Sequence, residues 1–437
     1  MQVSVETTSG LERRLTIGVP AAQVDSEVDT RLKQAAKNVR MDGFRPGKVP
    51  MKVVKRRYGP GVRQEVVGEV IQKSFNEAVI QESLIPAGQP SIEPKNLEPG
   101  ADLEFVATFE VYPEVELADF SGISVERKTA TIGNDDVNEM IETLQKQRAT
   151  WEESETAAVD ADRVNINFAG TIDGEAFEGG TAEGHNLVLG SSSMIPGFED
   201  GLEGKKAGEE VVLDLEFPET YHAEEIAGKA VQFKITVNSV SKQKMPELNA
   251  EFFAAFGVTA DDETKFREDV TKNMERELAQ AVKNNVKNQI MDGLIEVHEL
   301  EVPKALAQGE INRQRQMAAQ QFGQGIDPNQ LPEELFKDKA ERSVTLGLIV
   351  GEIVKKHEVS VDEDRVRTMV EDMAQSYQEP QQVIDWYYSN QEQLQQIRSA
   401  VLEDQVVEKV LESITVTESE STYNDVITAA AGNSQMM

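Results

Sequence analysis

The chain contains no cysteine. Disulfides, thiol catalysis and cysteine-based zinc sites are thereby excluded, and the usage fits an intracellular protein. Histidine is nearly absent as well, with four among 437 residues. Cations are scarce: 44 Lys and Arg face 78 Asp and Glu, a net charge of −34. Nucleic acid and anionic membranes repel such a chain except where its few cations gather. No stretch approaches the roughly 18 uninterrupted apolar residues of a spanning helix. The start, Met1 to Thr8, has neither the basic nor the apolar region of a signal peptide. A soluble, cytoplasmic protein with no membrane partner is expected. Its length suits two to four domains, and 39% hydrophobic residues are enough to build their cores.

What is present divides along the chain, and the fold class expected is multidomain α+β. Residues 1–112 read as an α+β unit. Val3 and Val5, then Leu15, Ile17 and Val19, alternate around a Thr8-Ser9-Gly10 turn as in a hairpin. Val24, Val28 and Leu32 recur at helical spacing, two further helical runs start near Pro50 and Gly61, and Phe105, Ala107, Phe109 and Val111 mark a late strand. Residues 113–149 read as a linker with one helix around Val137 to Leu144. Residues 150–244 hold 11 of the 30 glycines between short alternating runs, the pattern of a small antiparallel sheet. From 245 to 414 the pattern is helical. Phe266, Val270, Met274, Leu278, Val282, Val286 and Ile290 recur every four residues, and Ser360 to Glu363 reads as a capping box. Residues 415–437 are small and polar and are expected to fray.

One segment opposes the charge of the whole. Residues 37–63 carry nine cations and a single acid, Asp42. At their centre stands Gly43-Phe44-Arg45-Pro46-Gly47-Lys48-Val49-Pro50, whose glycines and prolines forbid a regular element and shape a loop. An aromatic beside an arginine at such a tip is the composition of a binding anchor. Its partner should be anionic, and RNA phosphate is the obvious candidate. The alternative is a solvated helix–loop–helix with scattered cations.

This loop, Gly-Phe-Arg-x-Gly-Lys-x-Pro, resembles the ribosome-binding signature of the trigger factor family, bacterial chaperones at the peptide exit tunnel. The resemblance covers nearly the whole chain, in the order docking domain, FKBP-like domain, helical body. It implies that Gly43, Phe44, Arg45, Gly47, Lys48 and Pro50 form the ribosome-binding site, with Phe44, Arg45 and Lys48 touching large-subunit protein and rRNA beside the exit tunnel. Pro46 stands where the family often has a basic residue. Implied partners are the large ribosomal subunit and nascent or unfolded polypeptides, with a homodimer off the ribosome left open.

Residues 150–244 hold no nucleophile elbow or phosphate-cradling loop. Their aromatics are individually better read as core. Taken together, Val-x-Ile-x-Phe-x-Gly, Phe177-Glu178-Gly-Gly180 and Ile195-Pro-Gly-Phe198 resemble the FKBP-type prolyl isomerases. The resemblance implies a proline pocket lined by Phe168, Ile195, Phe198, Tyr221 and Phe233, with Phe177 and Glu178 beside them. Glu178 occupies a position where many relatives have Asp. No metal or other cofactor is implied. The helical region carries no catalytic constellation; by resemblance it is the back and arms of a chaperone cradle. Three other functions remain open: a free isomerase, a non-enzymatic scaffold, and, weakly, an RNA-binding regulator.

Overall fold

The computed structural model describes all residues except 39–43, 45–48, 222, 224, 225, 259–261, 323–326, 376, 378 and 437. It divides into two compact units. One comprises 1–129, 282–420 and 428–437, the other 130–281 and 421–427.

The chain opens with the hairpin β1 (Gln2–Ser9) and β2 (Glu12–Val19). Helices α1 (Ala21–Asn38) and α2 (Met51–Gln81) and strands β3 (Ser91–Asn96) and β4 (Leu103–Glu110) follow. The four strands pair antiparallel in the order β1-β2-β4-β3. Alternation selects the buried face. Leu15 and Ile17 lie opposite Ala107 and Phe105, and all four join Val24 of α1 and Val66, Val70 and Phe75 of α2 in one core.

Helix α2 differs from the two runs expected, because it passes unbroken through Pro60. A mid-helix proline costs about 3 kcal/mol, and anchoring on both sides offsets it. Before Pro60, Val54 packs with Leu32 and Val49; beyond it, Val66, Val67 and Val70 enter the main core.

Within 113–149, the stretch read as a linker, lie β5 (Ser124–Thr129) and α3 (Asn134–Gln147). Five strands come next: β6 (Thr150–Ser154), β7 (Arg163–Ile172), β8 (Glu175–Val188), β9 (Glu210–Glu216) and β10 (Ala230–Lys244). They form an antiparallel sheet ordered β6-β10-β7-β8, and β9 pairs with the first half of β10. Between β7 and β8 stands the two-residue turn Asp173-Gly174, with φ of 54° and 87°. Positive φ at both positions gives the turn whose twist matches the strands it joins.

Helix α4 (Ala250–Ala255) and the 34-residue α5 (Glu263–Glu296) follow. In the second unit, Phe252 and Phe253 of α4 and Phe266, Val270 and Met274 of α5 pack against Val137 and Ile141 of α3 and against Tyr423.

The remaining helices are α6 (Lys304–Phe322), α7 (Glu334–Lys356), α8 (Glu363–Ala374), α9 (Pro380–Ser389) and α10 (Gln391–Leu411). The end of the chain, read as fraying, carries β11 (Thr415–Glu420) and α11 (Tyr423–Met436). Strand β11 pairs in parallel with β5, from Ser124 opposite Thr415 to Thr129 opposite Glu420. Beneath that pair, Ile123 and Val125 join Ile290 and Leu294 of α5, Ile349 and Ile353 of α7, and Val406 and Val410 of α10. Helix α8 is capped by Asp362, not Ser360: the Asp362 carboxylate accepts the amides of Asp364 and Arg365 at 3.0 and 3.2 Å.

Candidate functional site

An apolar cavity of about 340 Å³ opens in the five-stranded sheet. Its lining comprises Phe168, Phe177, Gly179, Ser193, Met194, Ile195, Pro196, Phe217, Pro218, Tyr221 and Phe233. Strand register puts the central rings together. Phe168 of β7 lies opposite Ile235 of β10, and Gly170 lies opposite Phe233, so the two phenylalanines are diagonal neighbours on one face. Their ring centroids are 5.9 Å apart at 73°.

Phe177 arrives by a break in register. Thr171 faces Ala176 and Ala169 faces Thr181, so β8 spends residues 177–180 against Gly170 alone. That bulge drops the Phe177 ring edge-on against Phe233 at 6.4 Å and Phe217 at 5.8 Å, and Phe217 meets Tyr221 at 4.8 Å. Edge-to-face contacts of this kind rigidify a wall beyond what burial gives.

Of the five residues expected to line the pocket, Phe168, Ile195, Tyr221 and Phe233 do, and Phe177, expected beside them, lines it too. Phe198 does not. It is fully buried behind the lining, edge-on to Phe168 at 5.8 Å and to Phe233 at 5.2 Å. Glu178 is exposed on the β8 bulge and lies outside the lining. Sequence reasoning missed Phe217 and Pro218. The available signal was the alternation Val211, Leu213, Leu215, which continues in phase to Phe217.

The loop from Ser191 to Pro196, whose last four residues line the cavity, is stapled by Glu199, a residue only 9% exposed. The Glu199 carboxylate accepts the backbone amides of Ser192 at 3.1 Å, Ser193 at 2.9 Å and Met194 at 3.3 Å.

Of the expected docking residues, Gly43, Arg45, Gly47 and Lys48 lie outside the described residues. Phe44 is 40% exposed. Pro50 precedes α2, and its carbonyl accepts the amides of Val53 at 2.9 Å and Val54 at 3.2 Å. Two of the segment's cations are already engaged: Lys55 pairs with Asp29 at 2.7 Å and Arg63 with Asp25 at 3.0 Å, both acids on α1. Lys52, Arg56 and Arg57 are exposed and form no ion pair among the described residues.

Among the described residues no cluster of acidic or histidine side chains could hold a metal ion, and no helix is long and apolar enough to cross a membrane.

Comparison with known proteins accounts for nearly the whole chain. A model of the bacterial trigger factor protein matches residues 1–144, and one of the trigger factor C-terminus matches 264–412. Between them, a model of the FKBP-type peptidyl-prolyl cis-trans isomerase matches 154–238. Trigger factor from Pseudomonas fluorescens strain SBW25 is 56% identical over 98% of this chain and 99% of its own. The proteins of that name from Pseudomonas syringae pv. syringae strain B728a and Pseudomonas paraeruginosa are each 54% identical, over 98% of this chain and 98% and 99% of their own. With matches over 98% of its length and an aromatic pocket inside the segment that the isomerase model covers, the chain belongs to the trigger factor family and contains an FKBP-type peptidyl-prolyl isomerase domain.

Proposed function

We propose that the protein acts in the cytoplasm as a ribosome-associated chaperone. In this reading it holds nascent polypeptides at the exit tunnel, assists their folding and export, and isomerises X–Pro bonds in them. Residues 1–112 dock through Phe44, Arg45 and Lys48; 150–244 isomerise; the helices of 245–414 hold the unfolded chain.

The mechanism at the pocket needs no nucleophile. Rotation about a peptide bond is opposed by about 18–20 kcal/mol of C–N resonance. The twisted amide has lost that resonance and is less polar than the planar one. Rings around the cavity keep water from the planar form, so the ground state loses more stabilisation than the transition state. Each ~1.4 kcal/mol of that difference accelerates rotation tenfold. Phe168, Phe177 and Phe233 receive the prolyl ring, and Ile195 and Tyr221 close on the flanking peptide. Phe198 acts through Phe168 and Phe233, which it supports from behind.

The observation that carries this reading is the aromatic cavity in a chain whose one cationic segment presents an exposed Phe44. Cation clusters displace counterions from RNA, so docking should weaken steeply with salt. Sedimentation of the purified protein with large ribosomal subunits at low and high salt tests it. Absence of the protein from the subunit fraction at low salt overturns the docking reading and leaves the isomerase standing.

A further inference from the structure

The pocket loop should not hold its shape unaided. Ser192 has a φ of 54°, a left-handed conformation that disfavours a residue with a Cβ by roughly 1–2 kcal/mol. Its neighbours Ser193 to Pro196 supply four consecutive residues of the cavity wall. No strand pairs with this segment.

What fixes it is a single carboxylate. Glu199 Oε2 accepts the Ser192 amide, and Oε1 accepts those of Ser193 and Met194. The Ser191 hydroxyl adds a longer contact to Oε1 at 3.4 Å. No cation pairs with Glu199 among the described residues. Converging amide dipoles take that place, as in an anion-binding nest. Charge-assisted bonds from backbone amides are about twice as strong as neutral ones, and here they are shielded from water. Glu199 is also tied to the core, because Phe198 precedes it in the sequence and is fully buried.

We infer that Glu199 is a positioning residue for the isomerase: its buried carboxylate holds the Ser191–Pro196 wall in the conformation that seals the proline pocket. The inference concerns how the pocket is kept dry and shaped, not which groups touch the substrate. Glutamine at this position has the same shape but only one acceptor oxygen. Its amide nitrogen would face either the Ser192 amide or the Ser193 and Met194 amides, donor against donor.

The test uses the full chain carrying Glu199→Gln, with wild type in parallel. Two quantities are read: kcat/KM on an X–Pro peptide, and peptide-resolved hydrogen exchange. The expected result is a fall in kcat/KM of about tenfold, since sub-ångström looseness of a supporting shell is enough to impair a site. Exchange should quicken across 191–196 while β7 and β10 keep their protection. Unchanged activity with a loosened loop overturns the inference, and so does unchanged exchange in the loop. If the glutamine variant loses protection throughout the sheet, Glu199→Asp decides. It keeps the charge with a shorter reach, and the expected outcome is an intact sheet with loop exchange and activity between the other two. Wild-type activity in an aspartate variant with a loosened loop overturns the inference equally.

Discussion

Phe233 occupies the space that a side chain on Gly170 would need. A methyl group at Gly170 would stand 2.6 Å from Phe233 Cε1 and 3.0 Å from Phe177 Cε1. Two rings of the pocket therefore rest directly on the backbone of β7, and the absence of a Cβ there sets the depth of the cavity.

Gly170→Ala should displace both rings at once. Overpacking in a well-packed site costs about 1–3 kcal/mol. The expected outcome is a folded protein whose kcat/KM on an X–Pro peptide falls about tenfold or more, which corresponds to ~1.4 kcal/mol in the barrier. Protease-coupled peptide assays measure the loss, and circular dichroism checks the fold.

Residues 150–244 should fold and isomerise alone. Their core, from Ala158 through Phe198 to Val240, is built only from residues within that span. The expected outcome is a fragment with kcat/KM near that of the full chain on short peptides. A folded but inactive fragment would show that the pocket needs something outside it.

Replacing Phe44, Arg45 and Lys48 together with Ala should remove ribosome binding, by about tenfold or more if the three act as an anchor. The ion pairs Lys55–Asp29 and Arg63–Asp25 and the buried Val49 and Val54 are untouched, so the domain should stay folded. Co-sedimentation with large subunits, alongside thermal unfolding, checks both halves of the statement. Full retention of binding by the folded triple variant would sink the docking reading.

Tyr423 carries a pH dependence with a definite sign. Burial, reinforced by its hydrogen bond to Glu277 Oε2 at 2.8 Å, raises the phenol well above its ordinary 10.0. A raised folded-state value means that the stabilisation is complete below pH 10.0 and is lost as pH climbs past it. Tyr423→Phe should lower unfolding free energy by ~1 kcal/mol near neutral pH. The gap from wild type should narrow in alkaline solution. Urea titrations at neutral and alkaline pH measure both.

If the helices hold the unfolded chain as proposed, removing 150–244 with a short linker should leave most suppression of aggregation, since Met317, Leu335 and Trp386 are exposed apolar residues outside that span. Light scattering of a denatured client measures it. Removing 246–437 is a harsher cut than the sequence suggests. It strips β5 of β11, its one strand partner among the described residues, and Val137 and Ile141 of the phenylalanines they pack against.

Local pattern made the sheets and long helices legible: Leu15, Ile17 and Val19 sit in the core where alternation puts them, and Phe266 to Ile290 lie on one helix. Long-range compensation was not legible. Pro60 and its flanking glycines look like a break, and only the packing of Val54 and Val66 against distant residues keeps α2 whole. The same holds for 113–149 and 415–437. Neither β5 nor β11 is legible alone, since among the described residues each has only the other as strand partner. At the site, motif order found four lining residues and set Phe177 beside them, but put Phe198 in the wall instead of behind it, because a motif records proximity and not which way a ring points. The role of Glu199 depends on a three-amide convergence that no sequence period announces.

The pairing of β5 with β11 has a temporal side. Thr129 and Ser419, joined through a hydroxyl-to-carbonyl hydrogen bond, are 290 residues apart. At about 5–20 residues per second, β5 waits roughly 15–60 s for β11, the strand that pairs with it. Through that interval Ile123 and Val125 lack much of the core they finally enter, while the isomerase domain between them and their partners has all of its own core residues in hand. The body must therefore close after the isomerase domain, and a polypeptide that ends before β11 should carry a complete isomerase core attached to an unfinished body.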